Sequence, residues 1–136
     1  MKEAFHIYPI GIVRKNERKI WIEIFGEYTD GLLGLEGFSH INVLYWFHEK
    51  DTPDSRAILQ VHPRGDRTNP LTGVFATHSP VRPNLIALTL CKILSIKDSR
   101  INIEDIDALD GSPVIDIKCY IPDGTEDPTY RVPEWV

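Results

Sequence analysis

"PVIDIKCYI", residues 113–121, alternates apolar and charged side chains through its middle, from Ile115 to Cys119. Successive side chains of a β-strand point to opposite faces, so Val114, Asp116, Lys118 and Tyr120 fall on one side and Ile115, Ile117, Cys119 and Ile121 on the other. The stretch reads as a half-buried strand. "KIWIEIF" (19–25) has the same form, with Ile20, Ile22 and Ile24 sharing a face. Between turn signals stand "FHIYPIGIV" (5–13), "SHINVLYWF" (39–47), "LTGVFAT" (71–77), "LIALTLCKILSI" (85–96) and "RINI" (100–103), all rich in Ile, Val and aromatics. No window sustains a 3.6-residue apolar period over ten residues, and short helices are confined to Asp30–Leu35 and Pro53–Leu59. About seven strands with few short helices predict a mainly β fold. A small closed or nearly closed β-barrel is the economical form, because closure removes the sheet edges.

The 136 residues fit one domain, 1–136, in which 122–136 is a polar tail. Tyr130 and Trp135 are expected to dock that tail on the barrel or on a neighbouring subunit. The longest apolar runs, such as "INVLYWF" (41–47), fall far short of the roughly 20 residues of a membrane-spanning helix, and "MKEAFHIYPIG" (1–11) lacks a signal-peptide core. The expected location is the cytoplasm. Cys91 and Cys119 have no CxxC spacing and are expected as reduced, packed thiols.

A net charge of −5 argues against a broad basic nucleic-acid face. The sum hides an asymmetry. From His62 to Asn84 three arginines and one aspartate give +2, whereas from Asp98 to Asp127 nine acids and two bases give −7. A local anionic ligand fits the first segment; so does a solvated charge pattern.

Motifs of the common enzymes are absent: no GxGxxG, no P-loop, no nucleophile elbow and no HExxH. The five histidines lack ligand spacing, and His40 and His48 on one continuous strand would stand about 26 Å apart, so no metal site is expected. Two polar loops stand out instead. "HPRGDR" (62–67), inside the long connection 48–70, presents Arg64 and Arg67 on a Gly65 turn. Such guanidinium groups suit bidentate phosphate contacts, with Asp66 placed to orient one; an Arg–Asp surface pair is the plainer reading. "VFATHSPVRPN" (74–84) begins like a buried strand, then crowds Thr77, His78, Ser79, Arg82 and Asn84 around Pro80 and Pro83.

Read together, "YPIGIV" (8–13), "GLEGFSHINVLYWFH" (34–48), "HPRGD" (62–66), "GVFATHSPVRPN" (73–84), "LTL" (88–90) and "LDGSPVIDIKCY" (109–120) resemble the TrmO (TsaA-like, YaeB-like) family, in the same order. The resemblance implies a β-barrel enzyme that uses S-adenosylmethionine to methylate N6 of threonylcarbamoyladenosine, at position 37 beside the anticodon of tRNA. It implies a homodimer with the cofactor at loops of the barrel mouth. Carried over residue by residue, the cofactor contacts fall on His48, Glu49, His78, Leu88 and the turn Leu109, Asp110, Gly111 and Ser112.

Arg64, Arg67 and Arg82 are the expected phosphate or threonyl-carboxylate contacts in the tRNA anticodon loop, with Asn84 for a base edge. Asp116, Asp110 or a carbonyl fixed by Arg82 would assist loss of the N6 proton, with Asp116 taken as the catalytic candidate. The family usually carries arginine where this chain has His78, and a Pro-Arg-Gln segment that "RKNERK" (14–19) lacks. Those departures motivate the alternative of a non-catalytic barrel that binds S-adenosylmethionine or RNA.

Overall fold

The computed structural model describes residues 2–124 and 127–136. Among the described residues eight strands occur: β1 (Gly11–Lys15), β2 (Ile20–Ile24), β3 (His40–Trp46), β4 (Gln60–Val61), β5 (Thr72–Gly73), β6 (Ile86–Lys97), β7 (Arg100–Ile103) and β8 (Pro113–Cys119). Six of them close a barrel in the order β1-β2-β7-β6-β3-β8, and β4 and β5 form a separate ribbon. The chain divides into two compact units, Met1–Tyr45 with Leu88–Val136, and Trp46–Ala87.

Local chemistry builds the barrel's hairpins. Between β1 and β2 the Asn16 side chain accepts from the Arg18 and Lys19 N–H groups at 2.9 and 2.8 Å, an Asx turn that reverses the chain. Between β6 and β7, Lys97 pairs with Arg100 across a two-residue turn in which Asp98 is left-handed, φ 56°. Gly11 is glycine for a steric reason: a Cβ there would collide with the Glu23 carbonyl oxygen on β2. Inside, Val13, Ile22, Ile41, Val43, Ile101 and Val114 are wholly buried. Each contributes about 1.5–3 kcal/mol relative to an exposed side chain.

The alternation of residues 113–121 is interrupted. β8 pairs with β3 as Leu44↔Asp116 and then Tyr45↔Val114, so one residue of β8 is inserted at this point. A bulge reverses the facing of everything before it. Val114 is therefore buried while Asp116 is exposed, although simple alternation puts them on one face. Cys91 is buried and Cys119 is half-buried.

The end of the chain packs on this unit; residues 125 and 126 of the tail lie outside the described residues. Ser39 N–H donates to the Arg131 carbonyl at 2.9 Å, and Arg131 N–H donates to Ser39 Oγ at 2.6 Å. The Tyr130 ring lies 4.7 Å from that of His40 and 4.9 Å from that of Tyr120, and Trp135 meets Phe38 edge-on at 6.1 Å. Burial is the main cause that lowers the His40 pKa, and the Lys92 charge adds to it.

In the unit Trp46–Ala87, β3 gives way to a 3-10 turn, His48–Lys50, so His48 is not on a strand continuous with His40. The short helix α1 (Pro53–Arg56) is capped by Thr52 Oγ1, which accepts from Ser55 N–H at 3.1 Å. Residues 71–77 form a strand only at Thr72–Gly73. Val74–Ala76 then turn as a 3-10 segment, because the Val74 carbonyl accepts both the N–H and the hydroxyl of Thr77, at 3.1 and 2.9 Å. Val74 is buried, yet Phe75 is 81% exposed and anchors no strand.

Candidate functional site

The turn Leu109–Ser112 enters β8 and is held from several sides. Gly111 has φ +87°, a conformation that strains any residue with a Cβ. Its N–H donates to the Val13 carbonyl at 2.7 Å, and Val13 N–H donates to the Ser112 carbonyl at 2.9 Å. Ser112 is 2% exposed, and its hydroxyl donates to the Leu109 carbonyl at 2.7 Å. One oxygen of Asp110 accepts Lys15 N–H at 2.8 Å, so the carboxylate caps the end of β1. These bonds leave Leu109 53% exposed on a rigid backbone. The space around Gly111 is open: a Cβ built there meets nothing within 4 Å.

Leu88 lies on the barrel's outer face, 54% exposed, one residue before Thr89, whose Oγ1 is 3.4 Å from the Tyr45 hydroxyl. Burial pushes the Tyr45 phenol above its ordinary pKa. Tyr45 pairs with Val114, two residues after Ser112. Leu88 and the Leu109–Ser112 turn thus belong to the same end of the barrel. Asp116 stands farther along β8, past the bulge, with one oxygen accepting Ile117 N–H at 2.8 Å.

In the other unit, His48 and Glu49 stand on a turn braced by their neighbours. Asp51 accepts from Trp46 Nε1 at 3.1 Å and from Arg56 Nε at 3.0 Å, and the Arg56 guanidinium lies 5.2 Å from the Trp46 ring centre. Those bonds, Arg56 first, hold the Asp51 pKa below its ordinary value. Glu49 is exposed and His48 half-buried.

The loop after Val74–Ala76 is tied by its own polar groups. Ser79 N–H donates to Thr77 Oγ1 at 3.1 Å and Val81 N–H to Ser79 Oγ at 3.2 Å. Arg82 Nη1 donates to the Thr77 and Ser79 carbonyls at 3.0 and 3.3 Å, so one guanidinium nitrogen is spent on holding the loop. His78 and Asn84 are exposed.

"HPRGD" is a strained turn. Arg64 is left-handed at φ 60°, followed by Gly65 at 66°. A non-glycine residue there costs about 1–2 kcal/mol and needs bracing. The His62 ring nitrogen Nδ1 lies 2.9 Å from the Asn69 carbonyl, and Asn69 Nδ2 donates to the Pro63 carbonyl at 2.8 Å. Asp66 does not orient an arginine. Its carboxylate accepts the Thr68 hydroxyl and N–H at 2.6 and 2.9 Å, which lowers its pKa, and no described residue forms an ion pair with Arg64 or Arg67. Both guanidinium groups are exposed.

Phe75 is the residue that sequence reading missed, because it sat in an apolar triplet assigned to a strand. The signal was the triplet's isolation: Thr77 follows at once, and a residue three positions past Val74 whose hydroxyl reaches back favours a turn.

Comparison with known proteins returns one family. The model of the tRNA-methyltransferase O N-terminal domain matches residues 3–125. A protein of Pyrococcus horikoshii named "Probable S-adenosyl-L-methionine-binding protein" is 50% identical over 118 residues, which are 87% of this chain and 84% of that one. A relative of the same description from Methanocaldococcus jannaschii is 48% identical, over 85% of this chain and 92% of its own. A mouse tRNA (adenine(37)-N6)-methyltransferase is 42% identical over 77% of this chain, a stretch that makes up 24% of the mouse protein. Among solved structures, TrmO from P. aeruginosa superposes with a TM-score of 0.69 at 26% identity, covering 99% of this chain and 63% of that one. With the family model matching residues 3–125, and with relatives near half identical over most of their own length, the chain belongs to the tRNA-methyltransferase O N-terminal domain family.

Proposed function

We propose that this chain is an S-adenosylmethionine-dependent methyltransferase acting in the cytoplasm on adenine 37 of tRNA, at N6 of the threonylcarbamoyl-modified base. The observation that carries the reading is the family match over residues 3–125, joined to relatives named for binding S-adenosylmethionine and for methylating that adenine. The working form is proposed to be a pair of copies.

The residues present fit the cofactor. S-adenosylmethionine offers a sulfonium, an ammonium, a carboxylate and an apolar-faced adenine, and it supplies an electrophilic methyl group. Exposed Glu49 and the Asp110 oxygen not bonded to Lys15 suit the cationic end. Leu88 and Leu109 offer apolar surface, and open space at Gly111 lets a ligand approach the backbone. His48, His78 and Ser112 complete the proposed contacts.

Toward tRNA, Arg64 and Arg67 have no ion-pair partner among the described residues, which leaves both to phosphate. Arg82, partly committed to its loop, and Asn84 are proposed beside them, and exposed Phe75 is a platform on which an unpaired base can stack. The N6 nitrogen of the modified base is urea-like, so its proton is more acidic than that of adenine. Positioning by a stiff loop then contributes more than a strong base, and pre-ordered Thr77–Arg82 suits that task. Asp116 is a weak base candidate on this reading because it stands apart from the Leu109–Ser112 turn.

A second reading, binding without transfer, draws on His78 replacing the family's usual arginine and on archaeal relatives named only for binding. One experiment separates the two: transfer of labelled methyl to tRNA with and without the threonylcarbamoyl group. Incorporation only into the modified tRNA is expected. Calorimetric binding of S-adenosylmethionine without incorporation into either tRNA leaves the second reading standing.

A further inference from the structure

Three features of the barrel unit have no place in that reading, and they lie side by side. The segment Lys2–Pro9, ahead of β1, is exposed throughout and forms no hydrogen bond among the described residues. It is nevertheless apolar: Phe5, Ile7 and Tyr8 are 83%, 51% and 70% exposed. Phe5 and Ile7, two apart, share one face when the chain is extended.

Next to it, one edge of β8 is uncovered. β1 pairs with β8 only through Gly11↔Val114 and Ile12↔Pro113, whereas β3 follows β8 to Cys119. From Ile115 to Cys119 the edge facing away from β3 has no strand among the described residues. Asp116 supplies a local substitute, accepting Ile117 N–H. An open edge of this kind is a template for an added strand.

Third, a cavity of about 570 Å³ lies along that edge, with Ile10, Leu32, Leu35, Phe38, Ile117 and Trp135 among its walls. Glu27, Asp30 and Asp116 also line it, and no Lys, Arg or His does. The segment Lys2–Pro9 carries one lysine and one glutamate, so with His6 neutral it brings no net negative charge to that acidic wall. The exposed apolar side chains Phe5 and Ile7 match the apolar walls of the groove.

None of Lys2–Pro9 lines the cavity of its own chain. Ile10 gives its N–H to Val114 on β8 but its carbonyl to Phe25 after β2, at 2.8 and 2.9 Å. In a regular strand both groups of one residue face the same neighbour, so the ladder ends there. We infer that Lys2–Pro9 of one copy adds as a strand to the Ile115–Cys119 edge of a second copy, seating Phe5 and Ile7 in its cavity, and that a twofold pair exchanges both segments. This rests on the proposed pair and names the contact that holds it. Each copy carries both segment and groove, so a twofold exchange fills both grooves and leaves none open to a further copy.

Cys119 lines the cavity and supplies the test. In the full chain, Phe5→Cys and Ile7→Cys are made singly, oxidised mildly and run without reductant. At least one is expected to give a disulfide-linked dimer that disappears when Cys119→Ser is added. An internal disulfide in a monomer, a dimer that survives Cys119→Ser, or no link in either variant overturns the inference. Light scattering separates this from the pair itself. The double variant Phe5→Asp, Ile7→Asp, at exposed positions that folding does not need, should weaken association at least tenfold. A pair unaffected by it overturns the exchange but leaves the pair, whereas a parent chain that is monomeric overturns both.

Discussion

Replacing Gly111 by alanine tests whether the Leu109–Ser112 turn is set by backbone conformation alone. At φ +87° a Cβ is penalised, yet the space it would enter is empty. Steric collision therefore contributes nothing, and the cost is the left-handed backbone term, about 1–2 kcal/mol. For a chain of this size that lowers the melting temperature by about 3–8 °C. Gly111→Asn, which tolerates the same φ through its short polar side chain, should lose less than the alanine variant. Gly11→Ala is the contrasting case, because its Cβ meets the Glu23 backbone carbonyl and one strand must shift, a cost toward the upper end of about 1–3 kcal/mol. Urea titration followed by tryptophan fluorescence gives all three values. Calorimetry with S-adenosylmethionine should show weaker binding by Gly111→Ala and recovery by Gly111→Asn. An alanine variant as stable as the parent, or an asparagine variant worse than alanine, refutes the reasoning.

Phe75→Ala should leave stability within about 0.5 kcal/mol, since the ring is exposed, and should weaken tRNA binding by about 1–3 kcal/mol if a base stacks there. Arg64→Ala should lower tRNA affinity and reduce the slope of log affinity against log salt by about 1, with S-adenosylmethionine binding intact; loss of cofactor binding would reassign the residue. Native protein should expose one thiol to a reagent such as DTNB, because burial pushes Cys91 up to about 12 while Cys119 is half-buried; two reactive thiols in the native state contradict this. The His40 pKa lies below 6.5 in the folded chain, so its contribution is present above pH 6.5 and lost as pH falls through the lower folded value. Stability measured from pH 7.5 to 5 should fall on the acid side, and His40→Asn should flatten that dependence.

The sequence determined the composition of the barrel. Isoleucines 20, 22 and 24 and the apolar run 41–47 announced strands because period-2 patterning is a local property of the chain, and the order of motifs from Tyr8 to Tyr120 identified the family. The turn at LDGS was legible as well, since Asp110-Gly111-Ser112-Pro113 joins turn-favouring residues to a glycine that can take positive φ. Other features were decided by distant partners. Val114 faces inward because β3 pairs with β8 through a bulge, and the strand's own letters carry no trace of that. Phe75 is exposed because Thr77 closes a turn on Val74, which turns an apolar triplet away from a strand. Asp66 serves Thr68 and not an arginine, a choice between two neighbours that only geometry makes. The open edge of β8 exists because β1 begins at Gly11, and no periodicity reports where a neighbouring strand starts. Patterning specifies which side chains seek burial; pairing register and hydrogen-bond competition, which depend on residues far apart in the chain, decide which of them obtain it.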